Sequence, residues 1–413
     1  MDATVLGRRL DRLRSAPERT VVAPVPRVDH AAPLAAALGG VVVRGGSGSV
    51  VTLDYRTAMA VDRHALAALP YGVPPDNPLL CIDLETTGLA TAAGTLAFLV
   101  GLGWWKEDEL VVRQLLLADH ADERALLDVL AKVIPSDAWL VTYNGRCFDW
   151  PLIVARHRVH GRPPPPAGGH LDLLPICRQL WKHRLGSARL ATVEAEICGV
   201  QRANDLPGAL VPDRYFSYLR SRRAGLLRDV VDHNRQDIVS LGLLVRRLST
   251  GSLDGFEPGD LLGLARAYAR RRQSATALDV VERALTPDAW LVRQPPTAAL
   301  HRRLSAERAR LLAQLGRPEE AVAAWLDIGR RGGPGAAVAW LHIARYREHV
   351  ERDVAAALAA CNEAASVAGR ARAWGDPMFA VERDLERRLP RLRRKVFAGR
   401  HERRMEPRVR AVA

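Results

Sequence analysis

The chain has 413 residues, 48% hydrophobic and 26% charged, which leaves room for two globular domains and is too apolar for disorder throughout. Its formal charge of +14 favours a polyanionic partner, since clustered cations attract phosphate and release its counterions. Only four of the 60 basic residues are lysine, however, and genome base composition alone can produce such an arginine bias.

Five scattered cysteines, Cys81, Cys147, Cys177, Cys198 and Cys361, form no CxxC pair, which argues against a disulfide framework or structural zinc and suits a reducing, cytoplasmic setting. The first twenty residues are polar and arginine-rich, without the apolar core of a secretory signal. Residues 86–105 carry no charge and approach the length of a membrane span, but four glycines and several threonines interrupt them. They read better as strands, and no membrane association is expected.

Residues 1–75 form an N-terminal extension with little pattern, apart from a hairpin pattern around a glycine-serine turn in GGVVVRGGSGSVVTLDY. From residue 79 the elements sharpen: strand LLCIDL, strands near 95–103 and 110–117, a helix over 121–134, strand AWLVTY and a helix from about Phe148. RPPPPAGG must be a loop, with HLDLL a short strand before helices in 172–200. A long helix over 225–248, with Leu227, Val231, Ile238, Leu241 and Val245 at helical spacings, closes a domain spanning 76–250.

Beyond a linker, residues 257–390 turn to alanine, leucine and arginine in helical hairpins. Aligning three second helices matches Ala277, Val281 and Ala284 with Ala321, Trp325 and Ile328, and with Ala357, Cys361 and Ala364. The repeat step is 44 and then 36 residues, resembling tetratricopeptide (TPR) repeats, which commonly receive a protein partner; a plain alanine-rich bundle is the alternative. Residues 391–413 form a basic tail, either solvated and disordered or in contact with nucleic acid.

The chemistry concentrates in three strings. In DLETTGL, Asp83 and Glu85 lie two apart on a strand, so both carboxylates project from one face, where their repulsion invites a divalent metal or an acid/base role. In TYNGRCFDWPLI, Asp149 opens a helix just after a strand, where a simple helix N-terminal acid is the bland alternative. In VVDHNRQDIVSL, His233 and Asp237 share one helical face, and His233 has the chemistry of a general base. Four acids and a histidine of this kind can hold two Mg²⁺ or Mn²⁺ ions for phosphodiester hydrolysis.

In order and separation these strings resemble the DEDD superfamily of 3′–5′ exonucleases over residues 79–248. More closely, ETTGL, FLVGLG, RQLLL, YNGRCFDWPL, HLDLL, RANDLPG and HNRQDIVSL look like the YprB-like ribonuclease H-like family, whose members carry TPR repeats after the nuclease domain. The resemblance implies a mixed five-stranded sheet, three antiparallel strands extended by two parallel ones, with helices on both faces and an all-α repeat domain behind it. It also implies that Asp83 bridges two metals, Glu85 and Asp237 complete the first, Asp149 holds the second and His233 is the base. One departure is that His233 precedes Asp237 by four residues, the register of the tyrosine branch rather than the five usual for the histidine branch.

The expected activity is therefore 3′–5′ exonucleolytic cleavage of single-stranded RNA or DNA, with Tyr143, Trp150 or Tyr215 as stacking candidates more often found in cores. Alternatives are a non-catalytic nucleic-acid or protein-binding scaffold, or an endonuclease using the same metal site. Asp172 reads as structural, and Arg202 and Asp205 as an ion pair or a border of the substrate groove.

Overall fold

The computed structural model describes residues 28–88, 94–202, 205–250, 253, 255–286 and 297–405, with side chains as far as residue 398. Seven strands make one mixed sheet: β1 (Val41–Gly45), β2 (Gly48–Ala58), β3 (Leu79–Thr86), β4 (Ala97–Lys106), β5 (Glu109–Leu116), β6 (Trp139–Thr142) and β7 (Gly169–Asp172). Their order is β1-β2-β5-β4-β3-β6-β7, with β6 and β7 parallel to β3 and the remaining pairs antiparallel. The expected five strands are present, but the sheet among the described residues is wider. The hairpin read as part of an N-terminal extension pairs along β5 from Val51 opposite Leu116 to Ala58 opposite Glu109. Val50 and Val51 are buried in the core shared with α1 and the sheet, and Val51 opens the pairing with β5, an arrangement that turn chemistry and local alternation cannot reveal.

Helices cover both faces. On one lie α1 (Ala31–Leu38), α3 (Glu123–Val133) and α7 (Val211–Ser221), packed over Leu80, Ile82, Val100 and Leu102. On the other, α5 (Leu173–Trp181) and α8 (Arg228–Leu248) pack over Leu79, Cys81, Val112 and Val141. Between these elements come α2 (Arg63–Ala68), α4 (Asp149–Val159) and α6 (Leu190–Cys198). The period-two alternation of β3 thus fixes which residues meet α8: Leu79 and Cys81 do, and so, two and four residues on, do Asp83 and Glu85.

The tail is helical: α9 (Pro258–Arg270), α10 (Ser274–Leu285), α11 (Ala298–Gln314), α12 (Pro318–Arg331), α13 (Ala336–His349), α14 (Val354–Ala373) and α15 (Phe379–Met405). Consecutive helices pack on one another, and all nine residues aligned as repeat positions on α10, α12 and α14 are buried. The first helix is not suspended on a linker. Its Leu261, Leu264 and Tyr268 share a core with Ile176, Leu180 and Trp181 of the sheet domain. Part of the basic tail read as solvated is α15, which buries Leu392 while Arg388, Arg391 and Lys395 converge on the buried Glu348 at 3.0, 2.5 and 3.1 Å. No helix among the described residues is long and apolar enough to cross a membrane, and residues 97–105, from the apolar stretch, lie in β4.

Candidate active site

The site forms where α8 crosses the carboxyl half of β3. Val230, Val231, Ile238, Leu241 and Val245 bury one side of α8, and the helix can approach β4 closely because Gly101 and Gly103 stand beneath it. A Cβ on Gly101 would lie 2.5 Å from Asn234 Oδ1, and one on Gly103 would lie 2.6 Å from Ile238 Cγ2. Gly101 is also the strand partner of Asp83, so the close approach falls beside the first acid. Asn234, fully buried on the apolar side of α8, donates to Asp83 Oδ2 at 2.8 Å and accepts from Gln114 Nε2 at 2.8 Å.

Asp149 arrives from β6. Asn144 adopts left-handed backbone geometry with φ 68°, turning the chain into α4, and its N–H donates to Asp172 Oδ1 at 2.7 Å. Gly145 has no room for a side chain, since a Cβ there would lie 2.6 Å from Asp149 Oδ2. The backbone N–H groups of Asp149 itself and of Leu84 face the Asp149 carboxyl closely enough to oppose the rise of its pKa, which sets it beside the β3 segment between Asp83 and Glu85. Asp83 and Asp149 line one cleft together with Thr86, Thr95, Asn144 and Phe148.

Beside them Glu85, His233 and Asp237 offer ligand atoms that all lie within 4.8 Å of one another. His233 Nε2 is 3.9 Å from Glu85 Oε1 and 3.7 Å from Asp237 Oδ2, while its Nδ1 is 2.6 Å from Asp205 Oδ1. Arg202 pairs with Asp237 at 2.5 Å and Asp205 at 3.0 Å, and is anchored by the fully buried Glu194, which also accepts from Ser240. Arg202 and Asp205 thus form an ion pair that also holds His233 and Asp237.

The electrostatics are those of crowded, dehydrated acids. Burial pushes Asp83 well above the usual carboxylate range, and the negative charges of Asp237, Glu85 and Asp149 push it further. Glu85 is raised in the same way by burial and then by Asp237, Asp149 and Asp205. Asp149 is pushed up to about 7, chiefly by burial, against the restraint of its backbone donors. Burial raises Asp237 as well, although Arg202 and His233 oppose the shift. Such a set lacks the positive charge its fully ionised form requires. Oxygen-rich, partly exposed and concave, it fits hard divalent cations.

The structure therefore brings together Asp83, Glu85, Asp149, His233 and Asp237, the five residues singled out from sequence. Asp172 is the N-cap of α5, accepting from Leu174 N–H at 3.1 Å, and it braces the Asn144 turn. Tyr215 is core, stacked on Phe98 with centroids 3.9 Å apart. Trp150 packs half-buried against the core, and Tyr143 borders the cleft with its hydroxyl donating to Ala188 O at 2.6 Å. Sequence reasoning missed Asn234, Gln114 and Glu194. An asparagine in step with Val230 and Ile238, on an otherwise apolar stripe, is the signal that could have exposed the first.

A family profile described as the RNase_H superfamily matches residues 80–249, the segment that contains all five residues. The chain belongs to the RNase H superfamily, whose domain points to nuclease-type chemistry on nucleic acid with divalent metal. It is also 31% identical over 356 residues to the uncharacterized protein YprB of Bacillus subtilis (strain 168), across 84% of this chain and 80% of that protein.

Proposed function

We propose that this protein is a two-metal 3′–5′ exonuclease acting on single-stranded RNA or DNA, with its site formed by Asp83, Glu85, Asp149, His233 and Asp237. The observation carrying this reading is the convergence of four acids from β3, α4 and α8, two around His233 and two along the neighbouring cleft. Mg²⁺ or Mn²⁺ held by Asp83, Glu85, Asp149 and Asp237 would supply charge neutralisation and Lewis acidity to the scissile phosphodiester.

The protein groups have separable tasks. Asp205 occupies His233 Nδ1, leaving Nε2 directed at Glu85 and Asp237, where it can take a proton from attacking water. Asn234 orients the Asp83 carboxylate, and Arg202 fixes that of Asp237. Burial of the acids removes water that would otherwise weaken these interactions. The helical tail is assigned a second task, presenting its stacked hairpins to a protein partner.

The discriminating experiment uses 5′-labelled single-stranded RNA and DNA, each with a free or a blocked 3′ end, in Mn²⁺. Stepwise shortening suppressed by the block supports the exonuclease. Internal cuts that ignore the block would replace it with an endonuclease using the same site. Binding without any cleavage would favour a scaffold.

A further inference from the structure

The cleft holding Asp83 and Asp149 does not end at Asn144. That residue also borders a second cavity, lined by Tyr143, Arg178, Lys182 and Arg189, and a third, lined by Arg146, Arg178, Arg270 and Arg271. Arg270 and Arg271 come from the end of α9 in the helical tail, whereas the other cations belong to the sheet domain. All six are exposed, and no carboxylate of the described residues forms an ion pair with any of them. By contrast Arg266, Arg308 and Arg345 of the tail pair with Glu307, Glu282 and Asp384. Asp172 lies in the third cavity, but its oxygens already accept the N–H groups of Asn144, Arg146 and Leu174.

We propose that the sheet domain and α9 together form a groove for the phosphate backbone of a single strand whose end lies in the acidic cleft. This inference rests on the nuclease reading for the occupant of the cleft. Neutral acceptors hold two of the guanidinium groups in place, Arg146 on His170 O and Arg270 on Gln179 Oε1, and leave their charge uncompensated. The α9 wall is equally fixed, because a Cβ on Gly263 would collide with Gln179 O, so α9 rests directly on α5. A row of cations suits one phosphate backbone, and Tyr143 borders both the acidic cleft and the second cavity along its path. The tail is thereby part of the substrate surface rather than only a platform for a partner.

The test is equilibrium binding of a labelled strand of about 20 nucleotides in chelator, across a salt series, so that cleavage plays no part. For each phosphate of a single strand that a variant no longer neutralises, the log–log salt slope becomes shallower by about 0.7. Arg270→Gln with Arg271→Gln should therefore flatten the slope by about 1.4 and weaken binding about 25-fold at 0.1 M salt. Arg178→Gln, on the opposite wall, should act in the same direction. Arg393→Gln with Arg394→Gln removes the same charge from the exposed surface of α15 and should change neither quantity.

An unchanged slope in the α9 variant, or an equal change in the α15 control, would overturn the groove. A wild-type chain that binds with the stated salt dependence but never cuts in Mn²⁺ would overturn the nuclease reading and leave the groove standing. Absence of binding by wild type in chelator would overturn the groove, and absence of cutting in Mn²⁺ besides would overturn the nuclease reading as well.

Discussion

Gly101→Ala places a single methyl group at the point on which the site's assembly depends. Its Cβ would meet Asn234 Oδ1 at 2.5 Å and Ile238 Cγ1 at 2.8 Å. Neither neighbour can retreat freely, since Asn234 is held by Gln114 and Asp83 and Ile238 is fully buried. Restoring separations of about 3.5 Å requires α8 to move outward by roughly 1 Å. Overpacking of this kind costs about 1–3 kcal/mol, which the fold should survive. The same displacement carries His233 and Asp237 away from Glu85, and a misplacement of about 1 Å can cost on the order of 100-fold in rate. Thermal unfolding and Mn²⁺-dependent cleavage should be measured together, with Gly46→Ala as a control because a Cβ there meets nothing within 4 Å. Full activity with an unchanged unfolding midpoint would refute the argument that these glycines set the distance between the helix and β3.

Other residues make separate demands. His233→Ala should lower kcat by about 10²–10⁴-fold while the protein still binds Mn²⁺, and Asp205→Asn should produce a smaller loss; calorimetric metal titration beside kinetics checks both. Arg202→Met leaves Glu194 buried without its cation and should cost about 3–5 kcal/mol in denaturant unfolding, with Glu194→Gln added to it recovering a large part. Burial alone would raise Glu123, but hydrogen bonds from Arg156 at 2.5 Å and His160 at 2.7 Å hold it below its ordinary value. Its contribution is thus present above the unfolded-state pKa and lost as pH falls through the folded one, so Glu123→Gln should destabilise the protein at neutral pH by about 2 kcal/mol and flatten the acid limb of its stability profile.

How much of this was legible in sequence depended on whether a signal was local. Asp83 and Glu85 announce themselves because a strand's alternation is written in adjacent residues, and His233 and Asp237 because a helix repeats every three to four. The β1–β2 hairpin was visible as a hairpin, but its partner β5 begins some fifty residues later, and the burial of Val50 and Val51 in the core leaves no local trace. The residues that position the acids were hidden for a related reason. Gln114, Glu194 and Asn234 come from β5, α6 and α8, and each reads as an isolated polar residue until packing brings them to the site. The continuity between α9 and α5 was equally illegible, since Gly263 and Gln179 are ordinary residues in isolation.

The central claim is that the converging carboxylates form a metal-dependent cleavage site, and the direct measurement compares wild type with Asp83→Asn on end-labelled single-stranded RNA and DNA. Mg²⁺, Mn²⁺ and chelator arms complete it. Cleavage by wild type that requires the metal, stops in chelator and is abolished by Asp83→Asn is the predicted result. Cleavage that persists in Asp83→Asn or in chelator would contradict the account and place the activity elsewhere.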